Sequence, residues 1–481
     1  MNRKIIFCFF LFISIIQGNI YAQRVLTLEE VRELAIQNNK RLKMATEEEK
    51  VAYYEKKEAF LKYFPKLSAT GTYLRNQKDI YLLGSSILPP SITIPIPGIG
   101  GVDIPIPDEV NGALHEIGHL KTQNIWLGGI SLTQPLFMGG RIVAYNDIME
   151  NAKQLAATKK DMELQEVIAE LDAAYWQVIS LTEKKKLAES YLNLLQKMTS
   201  DVSAMEQEGV ATKADVLSVR VRQNEAEVTL TKVDNGLSLS KMLLNQLCGL
   251  PIEEQITLDC HGELDSPSPE NYKEIAGLRY ATPAMTDSLL RQPSVDEALQ
   301  NRPEIKSLEL ATKIYKGKEK VARADFLPEI GLTANYLWTN PNSFDGFQNK
   351  FGGMWNIGVL VNIPLNILSS STKVNAAKAQ TNIQQYQLAE AREKIELQVN
   401  QNAFKLNEAY KKYDATKRNL ESANENLRYA NAGFEEGVIP ASDVLAAYTA
   451  WLSANSEVID AQIDVKLSRL YLNKALGRSL K

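Results

Sequence analysis

The sequence predicts an α+β protein, mainly helical, in which long antiparallel coiled-coil helices and pairs of strands occur in two successive repeats. The first observation is a turn, Glu208 to Leu217, that returns as Glu436 to Leu445 at an offset of 228 residues. The second is a heptad pattern of apolar residues after Gly140, which requires a helical partner along its length. The third is a set of stretches in which apolar and polar residues alternate, as they do in strands with one polar face.

The chain begins with a predicted secretory signal peptide, residues 1–22. A basic start precedes an apolar segment from Ile5 to Ile16, which is too short to span a membrane, and the small residue Ala22 marks the cleavage position. Cys8 lies inside the apolar segment, so no lipid anchor is expected. No later stretch holds 18 consecutive apolar residues, and the mature chain is therefore expected to have no spanning helix.

Charge and cysteine content narrow the classes of protein further. The formal net charge is -4 and there is no basic block, so nucleic acid is not expected as a partner. The mature chain keeps Cys248 and Cys260, which could form a disulfide in an oxidising compartment or remain two buried thiols.

The first repeat is predicted to span residues 23–250 and to open with a helix. Thr27 and Glu30 have the spacing of a capping box, and the helical pattern runs to Phe64. Beyond Pro65 the period drops to two, which predicts a strand with an apolar face of Leu67, Ala69, Gly71 and Tyr73.

An insert and a second strand follow. Residues 78–123 are rich in Pro, Gly and Ile, which predicts a long outer loop with one short helix near Glu109 to Leu120. The next strand, Asn124 to Phe137, leads into a helix of about 65 residues after Gly140, and the turn at Gly209 returns the chain through a second helix.

The pattern then stops and restarts. Residues 251–292 have no counterpart in the other half and are interpreted as a connector. The second repeat, residues 293–481, echoes the first with a helix, a strand from Ile330 to Tyr336, a shorter loop, a strand from Trp355 to Ile363 and another long helical hairpin.

Strands with one apolar and one polar face in a secreted chain suggest lipid on one side and water on the other. Four such strands cannot close a barrel, and an open edge in hydrocarbon leaves backbone groups unsatisfied. Several copies of the chain must therefore share one barrel, continued by a tube of coiled helices. A conduit is expected, not an enzyme, and no cofactor is implied.

The duplicated Gly-Val and Asp-Val-Leu turns, the proline-flanked strand pairs and the signal peptide together resemble the TolC-like outer-membrane efflux proteins, from about Leu26 to Leu480. The resemblance implies a homotrimer with a twelve-stranded barrel in outer-membrane lipid, an α-barrel tunnel in the periplasm and an equatorial domain at residues 251–292. It also implies a periplasmic adaptor and an inner-membrane transporter as partners, and it leaves the cargo open.

The resemblance further implies acidic constriction rings, and Asp215 and Asp443 match those positions. The alternative is that each carboxylate caps the helix that begins at its turn. The chain departs from the family at three gating positions: Ile439 replaces an Arg, Phe434 a Tyr and Ala446 an Asp. The closed state is then expected to depend more on packing. The turn tips, Gly209, Val210, Gly437 and Val438, are expected to contact the adaptor.

Two other functions compete with the conduit. His115-Glu116-Ile117-Gly118-His119 fits the H-E-x-x-H pattern of zinc proteases, but the remaining histidine, His261, lies far off in the connector. The non-catalytic interpretation of this motif is a short helix that packs Val110, Leu114 and Ile117 inward while both histidines face water. The second alternative is a structural or adhesive coiled-coil surface protein, which would show no ion conductance.

Overall fold

The computed structural model describes residues 25–83, 87–96, 100–259, 293–345 and 348–479. The predicted signal peptide, Cys260, His261 and most of the predicted connector lie outside these residues. The chain divides into two compact units. Unit 1 comprises residues 1–52, 152–312 and 383–481, and unit 2 comprises residues 53–151 and 313–382.

The fold is mainly helical (68%). The helices are α1 (Leu28–Asn38), α2 (Lys40–Leu61), α3 (Asp108–Ile117), α4 (Arg141–Gln207), α5 (Lys213–Cys248), α6 (Pro293–Asn301), α7 (Pro303–Ala324), α8 (Ile367–Glu435) and α9 (Ala441–Ala475). The strands are β1 (Val25–Leu26), β2 (Lys66–Arg75), β3 (Ile80–Tyr81), β4 (Ser91–Ile96), β5 (Gly100–Pro105), β6 (His119–Leu120), β7 (Asn124–Met138), β8 (Thr257–Leu258), β9 (Glu329–Asn340) and β10 (Gly352–Asn362).

The element order confirms the predicted duplication. Helix, strand, connection, strand, long helix, turn and helix occur in the same order in both halves. The capping box at Thr27 and Glu30 is present, and α4 is 67 residues long, close to the predicted 65. Within the described ranges, no helix combines the length and apolar character that crossing a membrane requires.

Unit 1 contains α5 and α9 and the parts of α4 and α8 that lead into the two hairpin turns. Of the heptad positions predicted as a seam on α4, Val167, Leu171, Val178 and Leu195 are among those that are buried. Leu164, Leu181 and Leu192 are partly covered. Ion pairs join α5 to α4 through Asp234 and Lys185, and α4 to α9 through Lys184 and Asp460. A third ion pair, between Lys412 and Asp464, joins α8 to α9. These pairs link the helices in the order α5, α4, α9, α8, in which α4 and α9 are the inner two.

Unit 2 contains a four-stranded antiparallel sheet in the order β10, β9, β7, β2. The register places the predicted apolar residues on one face: Leu67, Ala69, Tyr73, Trp126, Ile130, Leu132, Ala334, Tyr336, Trp355, Ile357 and Val359. Most of the Ser, Thr and Asn residues occupy the other face. Both sheet faces therefore have the character that the alternation predicts.

The insert between β2 and β7 differs from the predicted loop. Its helix, α3, is present, but β3 also pairs with β6, and β4 pairs with β5 as a hairpin that contains Pro95 and Pro105. Proline removes one backbone donor, which a ribbon with two open outer edges tolerates. The expectation that proline at this density excludes a ladder was therefore wrong for this segment.

Candidate functional site

The two hairpin turns of unit 1 share one backbone conformation. Gly209 and Gly437 have φ of 80° and 74°, in the left-handed region that glycine adopts without strain. The next amide, of Val210 or Val438, donates to the carbonyl of Met205 or Gly433 over 2.8 Å in both turns. Val210 and Val438 are 78% and 79% exposed, so the predicted tips present their valine side chains to the surface.

The first turn uses Asp215 as a cap. The Asp215 carboxylate accepts hydrogen bonds from the Thr212 amide (2.9 Å) and hydroxyl (2.7 Å), and the Asp215 amide donates to the hydroxyl (3.3 Å). These bonds from Thr212 hold the pKa of the Asp215 carboxyl below its ordinary value. The capping alternative thus applies at this position, and the carboxylate is held at the start of α5.

The second turn leaves Asp443 outside any cap. Pro440 occupies the N-cap position and provides no side-chain bond, while Asp443 lies in the first turn of α9. Its carboxylate accepts one hydrogen bond, from the Ser442 hydroxyl over 3.2 Å. The two aspartates that the sequence treats as equivalent therefore differ in their bonding.

An apolar cluster joins both hairpins beside the turns. Its buried members come from all four long helices: Tyr191, Leu195, Met198, Val202, Val219, Ala226, Ala430, Ala441, Val444, Leu445, Ala447 and Tyr448. The gating positions Phe434 and Ile439 pack against it, and Ile439 lies so close to Gly433 that a Cβ there would be 2.5 Å from its Cδ1. Apolar packing thus occupies the positions at which the family resemblance implies a polar latch.

The outer two helices of unit 1 carry exposed apolar stripes. The stripe on α5 comprises Leu217, Val221, Val228, Leu239 and Leu243, and that on α8 comprises Ile383, Tyr386, Leu397, Phe404 and Tyr429, each at least half exposed. The spacings keep each set on one helix face. Among the described unit 1 residues of the inner helices α4 and α9, only Tyr471 is a large exposed apolar side chain.

The sheet of unit 2 also has its most exposed elements on the outside, at its two edge strands. Each edge strand, β2 and β10, pairs on one side only within the described chain. Every residue of β2 and nearly every residue of β10 is exposed. The edges therefore present unpaired backbone groups and apolar side chains together.

The polar sheet face carries a row of hydrogen bonds across strands. Ser131 donates to Asn335 over 2.5 Å, and Asn335 donates to Asn356 over 2.9 Å, at the level where Ser68 pairs with Ser131. Alternation predicts the polar face but not this row, because the cross-strand register is absent from the sequence.

Tyr81, which the sequence does not single out, organises the H-E-x-x-H segment. The rings of His115 and His119 each stack on Tyr81 with centroids 4.4 Å apart. His115 Nδ1 donates to the Leu83 carbonyl over 2.8 Å, and His119 Nε2 lies 3.2 Å from an Asp79 oxygen. Within the described ranges there is no cluster of three His, Cys, Asp or Glu side chains suited to a metal.

The predicted orientation of this short helix was wrong for two of its three apolar residues and for both histidines; Leu114 is partly covered. Ile117, expected to pack inward, is 77% exposed, and Val110 is 41% exposed. The two histidines, expected to face water, are partly covered instead. Cys248 is a buried thiol whose pKa burial raises to about 12; its pairing with Cys260 falls outside the described residues.

This chain has a sheet with an apolar face, a polar face and two open edges, and long helices with exposed apolar stripes. Such a combination is typical of a protein that forms part of a channel wall. The tier of Tyr73, Trp126, Tyr336, Trp338 and Trp355 near the loop end of the sheet is typical of a membrane boundary.

Comparison with known proteins agrees with this class. The profile of the family described as outer membrane efflux protein matches residues 31–250 and 294–478. The outer membrane protein TolC of Vibrio cholerae is 21% identical over 361 residues, covering 74% of this chain and 78% of that protein. The alkaline protease secretion protein AprF of Pseudomonas aeruginosa is 23% identical, covering 70% and 67%. The crystal structure of VceC from Vibrio cholerae superposes with a TM-score of 0.69 at 15% identity, covering 94% and 97%.

The chain belongs to the outer membrane efflux protein family. It is an outer-membrane channel of a tripartite efflux or secretion system, with its helical tunnel in the periplasm.

Proposed function

We propose that three copies of this chain form the exit duct, which passes substrates from the periplasm to the outside. The observation that carries the proposal is the pair of open sheet edges. An unpaired strand in hydrocarbon leaves each backbone group without a partner at a cost of several kcal/mol. Pairing β2 of one copy with β10 of the next satisfies these groups, and three copies of a four-stranded sheet give the twelve strands of a closed barrel.

The helical stripes support the same head-to-tail pairing. In unit 1 the stripes lie on α5 and α8, the outer helices of the series. In unit 2, apolar side chains on α2 (Tyr54, Phe60, Leu61) and α8 (Ile367, Leu368) are likewise exposed. Contact between the first-repeat edge of one copy and the second-repeat edge of the next would cover all of them, as a closed ring does.

A test of the trimer compares two exposed positions on α5. Val221→Asp places a charge on the stripe, whereas Ser218→Asp places one beside it. We expect the purified wild-type and Ser218→Asp proteins to have the mass of three chains in detergent, and Val221→Asp to yield monomers. Trimers of equal yield in both variants would contradict the proposed contact.

The bonding of the two aspartates favours Asp443 for the constriction. Three Asp443 carboxylates gathered near one axis would attract cations and repel each other. Asp215 already accepts two hydrogen bonds from Thr212 and serves the helix start. Phe434 and Ile439 would hold the closed state through the apolar cluster.

The exposed tips support contact with a periplasmic adaptor. Each helical hairpin has its turn between the end of one helix and the start of the next. The residues in these turns include Gly209 and Val210 in the first hairpin and Gly437 and Val438 in the second. An inner-membrane transporter would complete the path and select the cargo.

Planar-bilayer recording tests the constriction. We expect the wild-type channel to be blocked by divalent cations, and Asp443→Ala to weaken the block roughly tenfold or more, because the local cation concentration depends on the ring charge. Asp215→Ala is the matched control and should retain most of the block. If both variants weaken the divalent-cation block equally, the two aspartates contribute equally to the constriction, which would contradict the assignment to Asp443 alone. The absence of any conductance would favour the adhesive scaffold.

The contacts of the H-E-x-x-H segment disfavour zinc catalysis. Each imidazole is already engaged by Tyr81 and by one hydrogen-bond acceptor. Zinc retained at one equivalent through dialysis, with hydrolytic activity lost in Glu116→Gln, would revive the enzyme interpretation.

A further inference from the structure

The insert between β2 and β7 is closed at its base by a group of polar contacts. Asn76 donates from its amide to the Gln123 carbonyl and from its side chain to the Thr122 carbonyl, both over 2.8 Å. The Thr122 hydroxyl accepts from the Ile80 amide over 3.1 Å, and the β3–β6 ladder begins at Ile80. The insert therefore begins as a continuation of the β2–β7 ladder.

Helix α3 connects the rest of the insert to this base. Leu88 and Asn111 exchange two hydrogen bonds of 2.9 and 3.2 Å, which tie the chain before β4 to α3. Near the other end of the helix, His115 Nδ1 donates to the Leu83 carbonyl over 2.8 Å. How firmly the insert is held therefore depends on the contacts that fix the end of α3 against β3.

His119, which follows α3, lies between two carboxylates. Its Nε2 is 3.2 Å from an Asp79 oxygen, and its Nδ1 is 3.8 Å from a Glu116 oxygen. A carboxylate only accepts hydrogen bonds, so each ring nitrogen needs a proton to interact favourably with its neighbour. A neutral imidazole carries one proton and leaves the other nitrogen with a lone pair that faces an anion. The surroundings of His119 thus match the charged form of its ring.

Asp79 is the better bonded of the two carboxylates. One of its oxygens accepts from the Gln123 amide over 2.7 Å, and the other lies at His119. Desolvation raises the pKa of the Asp79 carboxyl, but the hydrogen bonds from Gln123 and His119 outweigh it and hold this pKa below its ordinary value. Asp79 is therefore ionised throughout the pH range in which imidazoles gain and lose a proton.

Tyr81 of β3 joins the second histidine to this group. The rings of His115 and His119 each stack on Tyr81 with centroids 4.4 Å apart and interplanar angles of 3° and 7°. A cation over an aromatic face is attracted by the ring, so proton uptake by either imidazole strengthens its contact with Tyr81. Two imidazolium charges repel each other, but the carboxylates of Asp79 and Glu116 balance them. The group carries two negative charges when both imidazoles are neutral and no net charge when both are protonated.

We propose that Asp79, Tyr81, His115, Glu116 and His119 form a proton-dependent clasp that holds the insert closed at the outer end of the channel. Protonation favours the closed clasp, so its contribution to stability is present near pH 5 and is lost as the pH rises towards 8. The opposite end of the sheet continues into the helices of the periplasmic tunnel, so the clasp meets the pH of the external medium. All of its contacts lie within one chain, and the inference is therefore independent of how copies pair.

Hydrogen exchange of the full-length protein in detergent tests the clasp, with EDTA present to exclude metal ions. After correction for the intrinsic rate, peptides from residues 78–123 should be protected about fivefold more at pH 5 than at pH 8, as expected for a partly exposed ion pair with a cation–π contact. His119→Gln keeps a donor for Asp79 but cannot gain a proton, and it should remove most of this difference. Peptides from β9, a strand without histidine, are the internal reference.

A pair of acidic positions on α3 separates the clasp from a merely structural role. Glu116→Gln changes an exposed side chain and removes one of the two anions beside His119, so the pH difference should fall to about half. Glu109→Gln makes the same change in the first turn of the helix and should leave the full difference.

The pH profile decides between the outcomes. Equal protection of the wild-type insert at both pH values would overturn the inference, and so would a pH dependence that His119→Gln leaves unchanged. If His119→Gln exposes the insert at every pH, the other pair of variants decides: a full pH difference in Glu116→Gln, equal to that in Glu109→Gln, would overturn the clasp.

Discussion

The two hairpin turns have the same backbone and different means of holding it. In each turn, two residues are paired by a backbone hydrogen bond. In the first turn these are Met205, which is large, and Ala211, which is small. The equivalent residues of the second turn are Gly433, which is small, and Ile439, which is large. The amides of Ala211 and Ile439 both donate to the carbonyl of that partner, over 3.2 and 3.0 Å. Each pair therefore combines one large and one small residue, with their positions exchanged between the two turns.

The helix starts differ in the same way. Thr212 and Asp215 close the first start with a hydrogen-bonded box, whereas Pro440 fixes the backbone of the second start without a side-chain bond. The proline therefore releases Asp443 from the capping role that Asp215 performs. The comparison shows how a duplicated motif can leave two equivalent carboxylates with different bonding.

The largest expected effect follows from breaking the exchanged pair. Gly433→Met should destabilise the second turn by about 2 kcal/mol, because the new side chain meets Ile439. Gly433→Met with Ile439→Ala, which installs the pair of the first turn, should recover stability to within about 1 kcal/mol. Hydrogen exchange of peptides from both turns measures the local opening. No recovery in the double variant would show that the two pairs are not equivalent.

A smaller effect is expected from replacing the N-cap residue of α5 or of α9. Thr212→Ala should cost about 1 kcal/mol in the first turn, since α5 loses its capping box. Pro440→Ala should cost only about 0.5 kcal/mol, because it changes the freedom of the unfolded chain and removes no bond. Exchange protection of the first turns of α5 and α9 distinguishes them, and equal losses would contradict the assigned roles.

The smallest effect concerns pH. The folded-state pKa of Asp215 is lowered, so the carboxylate stabilises the first turn above its unfolded pKa of about 3.9, and this contribution is lost as the pH falls through the lower folded value. Exchange in the first turn should accelerate as the pH falls below about 4, after correction for the intrinsic rate. Asp215→Asn should abolish this dependence, and the second turn, whose start has no carboxylate cap, is the internal reference.

The sequence was sufficient for the features that depend on local periodicity. Heptad spacing on α4 and alternation in β2 and β7 each follow from which side chains face water, and the structure confirms both. The sequence did not decide whether Asp215 and Asp443 cap their helices, because a carboxylate three residues after the N-cap position can either cap the helix or project from it. Pro440 was the available signal, since a proline at the N-cap offers no hydroxyl to complete the box.

The remaining features depend on contacts between distant residues. The β4–β5 hairpin was not predicted, because the sequence does not show that each of its strands pairs on one side only and so tolerates proline. The stacking of His115 on Tyr81 joins residues 34 positions apart (115 − 81), which no spacing rule indicates. The exposed stripes of α5 and α8 were not predicted either, because the order of the helices decides which stripes remain open.

The short parallel ribbon of β1 and β8 has a consequence for the order in which this protein folds. Val25 pairs with Thr257 and Leu26 with Leu258, and Leu26 is buried there. Val25 and Leu26 therefore gain these strand partners only after residues more than two hundred positions later have been made. A nascent chain released as far as residue 259 holds both sides of this ribbon, so the first half can close on itself before the second half has emerged.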